Sequence, residues 1–312
     1  MIETIGLIAR FVTYSAIFCI VGAVAFRFLI VKRSGLSSGI IGRASRRAAA
    51  IGWMAGLFVI VSALVKLVLQ TAEMKFPSDS WIEVGSRMLF QTSWGRTWMV
   101  QVACALLITM TFALARKDAL PRWNVLALLS IVLASTPAFA SHAMSAERFR
   151  QYTVYADAAH VLGASLWLGT LFVMFMSVVR NDGNEPQSER SASDMRASYI
   201  TAMLRSFSPV ALVGATLVVA SGVLAALAHI ASFNELFNTA YGQKLCAKLI
   251  GVGLVWFFGW RNWKFITPHV LTQGPRRMTR SMAIELTFAI VVILITSALV
   301  VTPPPAEAMM MH

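Results

Sequence analysis

The sequence has little charge, and this shortage limits what the protein can be. Only 13% of its 312 residues are Asp, Glu, Lys or Arg, whereas soluble domains carry about a quarter. The net charge is +13, but charges this sparse cannot form the broad basic face that nucleic-acid binding requires. We therefore expect neither a soluble enzyme nor a nucleic-acid-binding protein.

Cysteine and nucleotide motifs are also scarce. Cys19, Cys104 and Cys246 lie far apart, and no C-x-x-C pair occurs. This excludes a disulfide framework and a zinc-finger pattern. We interpret the thiols as small buried residues, with a soft-metal ligand on a transport path as the alternative. No Walker motif, G-x-G-x-x-G or H-E-x-x-H is present, so the sequence predicts no nucleotide cofactor and no enzyme.

Long apolar runs take the place of these features. Hydrophobic residues make up 57% of the chain, and the mean hydropathy is +0.69. A membrane span needs about 20 mostly apolar residues, and lipid favours helices because they satisfy their own backbone groups. The sequence thus predicts an all-α, polytopic transmembrane bundle of about eight helices. The predicted spans are 5–31, 48–70, 97–115, 123–141, 156–179, 206–229, 245–263 and 282–302.

Lys and Arg are divided unevenly between the connections. Segments 32–47, 116–122, 180–205 and 261–281 hold seventeen of the 27, and the alternate connections hold six. The positive-inside rule places the first set in the cytoplasm and both termini outside. The polar stretch 181–198 is predicted to be a flexible cytoplasmic connection.

The eight spans suggest two halves. We divide the chain into an N-terminal four-helix part, 1–145, and a C-terminal four-helix part, 146–312, with a short Pro- and Met-rich tail. The first helix is predicted to be permanent, because Glu3 and the lack of a basic leader argue against a cleaved signal peptide.

Four of the five histidines are predicted at the outer face: His142, His160, His229 and His312. Asp157 and His160 are spaced i, i+3, so they share one helix face. The cost of polar groups in lipid should turn both toward the bundle interior. There the carboxylate binds a metal or orients the imidazole; the alternative is a dipole-stabilised helix start beside a packed histidine.

Thioethers accompany these imidazoles. Met144 follows His142 closely, and three methionines precede His312 on a stalk that leaves the last span through Pro303–Pro305. Thioethers suit Cu(I) and imidazoles suit Cu(II), so the set predicts a copper site; interfacial polar residues and a tail without function are the alternative. The predicted ligands are His142, Met144, Asp157, His160, His229, Met309, Met310, Met311 and His312.

Charged groups inside the spans are further candidates, because such residues are costly in a membrane. Lys248 is predicted to pair with Asp157 at similar depth, and Glu285 lies near the cytoplasmic end of the last span. Onward passage of copper would use thioether or thiol steps such as Met174, Met176 or Cys104.

One segment carries a family resemblance. Residues 157–169, DAAHVLGASLWLG, resemble the D-x-x-H-x-x-x-x-x-x-W-x-G-G signature of the copper-resistance D family of bacterial inner-membrane proteins. Thr170 replaces the second glycine. The similarity spans roughly residues 90–305 and includes Trp94-Gly95-Arg96, Ser141-His142-Ala143, Phe207-Ser208, Tyr241-Gly242-Gln243-Lys244, Lys248 and Arg261-Asn262.

The resemblance implies copper transport across the inner membrane, in cooperation with a periplasmic copper-binding protein of the copper-resistance C type. Import is the direction usually proposed for the family. In the inner membrane, the outer face that is predicted to hold both termini is the periplasmic face. Two other functions stay open. One is a b-type haem electron carrier, with histidines from two helices as axial ligands. The other is a non-transporting membrane partner or assembly factor.

Overall fold

The computed structural model describes residues 1–115, 120–139, 150–179, 189–230, 232–270, 275–303 and 305. Throughout these residues the chain is helical and contains no strand, which confirms the predicted all-α polytopic bundle. His142, Met144 and Met309 to His312, together with residues 180–188 of the predicted connection, lie outside the described ranges.

Ten helical segments make up the described bundle. They are α1 (Ile2–Val31), α2 (Ser38–Met74), α3 (Trp81–Gln91), α4 (Ser93–Ala115), α5 (Leu120–Phe139), α6 (150–179), α7 (Glu189–His229), α8 (Phe233–Asn238), α9 (Ala240–Arg261) and α10 (Pro275–Leu299). Helix α1 ends in a π-helical turn, and α6 contains two such turns, Ser165–Gly169 and Phe175–Val179. Helix α9 continues into a π-helical turn, Asn262–Ile266.

Several helices extend beyond their predicted bounds. Helix α2 has 37 residues, about 55 Å at 1.5 Å per residue, whereas the hydrocarbon core is about 30 Å thick. Its first turns, which carry Arg43, Arg46 and Arg47, therefore project past the apolar layer. Residues 189–198 are likewise helical, so the prediction of a flexible connection over 181–198 is wrong for them. Hydropathy marks the membrane core, and backbone hydrogen bonding continues beyond it.

Seven helices in the described residues are long and apolar enough to cross a membrane: α1, α2, α4, α5, α6, α7 and α10. The eighth predicted span is also a helix, α9, but Lys244 and Lys248 lower its hydropathy. It packs along α10. Ile2 and Pro303 line one cavity, so both ends of the described chain lie at the same end of the bundle. This arrangement needs an even number of crossings, and α9 supplies the eighth.

We call the end of the bundle that holds Ile2 and Pro303 the terminal end, and the opposite end the loop end. The turn 32–37, which contains Gly35 at a φ of 66°, lies at the loop end between α1 and α2. Positive φ is the conformation that glycine adopts without cost. That the loop end is cytoplasmic stays a prediction of the positive-inside rule.

Two glycine contacts bring α1, α6 and α7 together. A Cβ atom on Gly22 would lie 2.2 Å from the carbonyl carbon of Gly169, and one on Gly163 would lie 2.8 Å from the carbonyl oxygen of Gly214. Small residues of this kind let helix backbones approach closely in membranes. Gly163 and Gly169 allow this packing beside Trp167, and α1 thereby contacts the middle of α6.

We predict that Gly22→Ala destabilises the bundle. The added methyl group has no space, and overpacking of a core costs about 1–3 kcal/mol. The measurement is the thermal unfolding midpoint of detergent-purified protein, which should fall. Gly253→Ala is the control, because no atom lies within 4 Å of its added Cβ. An equal effect of both substitutions would contradict close packing at Gly22.

Candidate metal site

A polar cavity of about 1090 Å³ opens at the terminal end. It lies between the first half of α1, the last turns of α2, the start of α4 and the ends of α5 and α10. Arg10 and Lys66 line this cavity, which we call the terminal cavity. It thus presents charged side chains to a polar ligand at this end of the bundle.

The cationic side chains that line the terminal cavity donate hydrogen bonds to neutral acceptors. Lys66 Nζ donates to Gln101 Oε1 at 3.2 Å, and Gln101 donates in turn to Thr136 Oγ1 at 3.2 Å. Arg10 Nε donates to the carbonyl oxygen of Ser297 at 3.2 Å. Lys244, at the start of α9, donates to Thr302 Oγ1 at 2.7 Å. The lining also includes two acids, Glu3 and Glu73, so cations outnumber carboxylates.

Tyr14 separates the terminal cavity from a smaller one. This central cavity has a volume of about 60 Å³, and Tyr14, His160 and Lys248 line it with apolar side chains. Tyr14 belongs to both linings. A ligand that moves inward from the terminal cavity would therefore pass Tyr14 and meet His160 and Lys248 next.

His160 joins three helices through its two ring nitrogens. Lys248 Nζ on α9 lies 3.4 Å from Nε2, and Ser221 Oγ on α7 lies 3.0 Å from Nδ1. An ammonium group can only donate, so Nε2 accepts and Nδ1 carries the proton that it donates to Ser221. Gly222 leaves room for the ring, since an added Cβ would lie 3.6 Å from His160 Cε1.

Asp157 provides the negative charge of this cluster. Its carboxylate interacts electrostatically with the ammonium group of Lys248 and with the hydroxyl groups of Tyr14 and Tyr241. The structure thus places Lys248 in contact with His160 and within electrostatic range of Asp157, the acid that the sequence predicted as its partner. The imidazole already accepts from one cationic group in an apolar environment, and the carboxylate favours the charge of that group.

The other predicted ligands are not tested here. His142, Met144 and Met309 to His312 are outside the described residues, and of His229 only the backbone position is described, as the last residue of α7. Within the described residues, no three His, Cys, Asp or Glu side chains are grouped to hold a metal ion. His269 lies at the loop end, where its Nδ1 is 2.9 Å from the carbonyl oxygen of Phe265.

A second polar cluster lies in the loop-end half. Glu285 on α10 is 3% exposed, and Asn262 Nδ2 donates to its Oε2 at 2.9 Å. Ser281 Oγ donates to Oδ1 of Asn262. The Trp167 side chain also hydrogen-bonds the Glu285 carboxyl group. Glu285 lines a loop-end cavity of about 410 Å³, and Trp167 lines both this cavity and the central one.

Sequence reasoning missed several of these residues. Ser221 and Tyr14 lie in apolar runs, and nothing in the sequence indicates which helices adjoin His160. Asn262 was noted only as part of the family resemblance, although an amide in a span next to a lone carboxylate is a usable signal. Met174, Met176 and Cys104, the predicted inner steps, line none of the three cavities.

We predict that the terminal cavity is open to water and the central cavity is not. In a background without Cys19, Cys104 and Cys246, Gln70→Cys should react with a membrane-impermeant maleimide added outside intact cells. Val252→Cys, which lines the central cavity below Tyr14, should not react. Labelling of Gln70→Cys only after the cells are opened would reverse the predicted orientation.

Comparisons with known proteins agree on one family. Residues 1–152 match the family model described as Copper resistance protein D-like, N-terminal domain. Residues 201–299 match the model described as Copper resistance protein D. No solved structure matches the chain.

Two curated relatives are similar over much of the chain. Copper transport protein CutJ of Bacillus subtilis (strain 168) is 26% identical over 218 residues, which are 66% of this chain and 36% of the relative. The chain thus spans about a third of that protein. Copper resistance protein D of Pseudomonas syringae pv. tomato is 22% identical over 306 residues, 94% of each chain. With both family models matched in order along a membrane-spanning bundle, the chain belongs to the copper resistance protein D-like family.

Proposed function

We propose that this protein transports copper across the bacterial inner membrane, inward from a periplasmic donor. One observation carries the proposal. His160 already contacts the ammonium group of Lys248, whose charge Asp157 favours, directly below a polar cavity that opens at the terminal end. Imidazole nitrogen and carboxylate oxygen are metal ligands as well as hydrogen-bond acceptors. Copper is the substrate of this site.

Entry would begin at the terminal cavity. Its cations outnumber its carboxylates, so a bare copper ion would be repelled there. This favours delivery by a donor that holds the metal until close approach, in agreement with a periplasmic protein of the copper-resistance C type. His142, Met144, His229 and the tail Met309 to His312 stay the predicted receiving ligands at this face.

Binding would then exchange one cation for another. Copper that reaches His160 must displace the Lys248 ammonium group, because both seek Nε2 and the Asp157 carboxylate. Ser221 stays on Nδ1 and keeps the imidazole oriented with Nε2 toward the central cavity. Such outer contacts fix the tautomer and the direction of a metal-binding histidine.

The central test is His160→Ala. Copper bound per purified chain and copper uptake by cells should both fall, uptake by at least about tenfold, because even an outer-shell change costs 10–100-fold in metal affinity. His269→Ala is the matched control, since this exposed imidazole lies at the loop end and does not line the central cavity. Unchanged copper content in His160→Ala would refute the site.

We also predict that Lys248→Leu raises the copper affinity of the purified protein by at least about tenfold, because two unit charges 4 Å apart repel by about 4 kcal/mol at an effective dielectric constant of 20. Competition with a copper chelator measures this change. Lys244→Leu is the control, because its ammonium group binds Thr302 at the cavity mouth. A weaker affinity in Lys248→Leu would mean that the ammonium group supports the site and does not compete with copper.

The same purified protein distinguishes the other two functions. A Soret band would indicate the haem carrier, for which the two imidazoles described, His160 and His269, lie in opposite halves of the bundle. Copper uptake by cells with and without the chain tests the non-transporting partner, which would leave uptake unchanged.

A further inference from the structure

Helix α10 presents two thioethers and one carboxylate to the loop-end cavity. Met278, Met282 and Glu285 all line it and are 2%, 0% and 3% exposed. Their spacing of four and three residues places them on one face of the helix. A methionine can pack in an apolar core, but packing alone does not require sulfur at two successive helical turns beside a buried acid.

The carboxylate of Glu285 has no positive partner in the part of the chain that the structure describes. Its hydrogen bonds come from two neutral donors, Asn262 and Trp167. Removing a charge from water without an opposite charge is costly, and ionisable groups at membrane depth mark ion pathways. A bound cation would compensate for the charge of Glu285.

The surroundings of Glu285 fix its direction. Ser281 donates to Oδ1 of Asn262, so the Asn262 amide must turn its Nδ2 toward Glu285. Gly259 leaves space beside the acid, because an added Cβ would lie 3.1 Å from Oε1. A ligand held by a second residue in this way is typical of metal centres.

We propose that Met278, Met282 and Glu285 form a second copper site, specific for Cu(I), in the loop-end half of the bundle. Thioether sulfur selects Cu(I) over harder divalent ions, and the carboxylate neutralises its charge. The site lies beyond Trp167, the residue shared by the central and loop-end cavities, so it would receive copper after His160. This inference rests on the proposed copper transport.

The test is Met278→Leu/Met282→Leu in purified protein loaded anaerobically with Cu(I). Leucine keeps the apolar volume and removes both sulfurs. X-ray absorption should show less sulfur bound to copper in the variant than in the wild type, because only the predicted outer ligands Met144 and Met309 to Met311 still supply it. The variant should also bind one copper fewer per chain. Met88→Leu/Met203→Leu is the matched control, because both are buried methionines that do not line the loop-end cavity.

The two proposals can fail separately. If the Met278→Leu/Met282→Leu protein binds as much copper as the wild type, with as much sulfur around it, the second site is refuted, while a loss of uptake in His160→Ala still supports transport. If His160→Ala leaves copper uptake unchanged, the transport proposal is refuted whatever the second site binds. The single variants Met278→Leu and Met282→Leu, each expected to lose sulfur ligation in part, keep the test decisive if the double variant does not fold.

Discussion

Charge inside the bilayer must be compensated within the bundle, and the arrangement of the helices depends on this requirement. The Lys248 ammonium group on α9 contacts the His160 imidazole and interacts with the Asp157 carboxylate, both on α6. The carboxylate also interacts with the phenols of Tyr14 on α1 and Tyr241 on α9. Each of these groups would be costly against lipid alone. Because the cation and its acceptors come from different helices, the cluster stabilises one relative placement of those helices and also creates a position that a metal can take.

Close backbone contact makes that placement available. At the Gly22–Gly169 and Gly163–Gly214 contacts, glycine has no side chain that would hold α1, α6 and α7 apart. Tyr14 therefore reaches the edge of the central cavity, and Ser221 reaches His160. Polar contacts in membranes are individually modest, so the packing of small residues positions the cluster and the hydrogen bonds then orient it.

The sequence predicted the helical bundle, the shared face of Asp157 and His160, and the pairing of Lys248 with Asp157, since hydropathy and helical spacing are local properties. It did not predict Ser221 or Tyr14 as partners of the site, because neighbouring helices are chosen by long-range packing. It also underestimated the lengths of α2 and α7, because their polar first turns are helical although they lie outside the apolar layer. The methionines of α10 were not predicted as ligands, because Met278 lies in the basic connection 261–281 and Met282 only begins the predicted last span.

The two proposed sites differ in the chemical groups that copper would contact. At His160 the metal competes with a tethered ammonium group, which weakens its binding. At Met278, Met282 and Glu285 it meets two soft donors and a carboxylate without a positive partner among the described residues, which strengthens the binding of Cu(I). A weaker site near the entry and a stronger one beyond Trp167 favour movement from the terminal end toward the loop end. With the basic loop end in the cytoplasm, as the positive-inside rule predicts, this difference in affinity would direct copper inward without a nucleotide-binding motif in the chain.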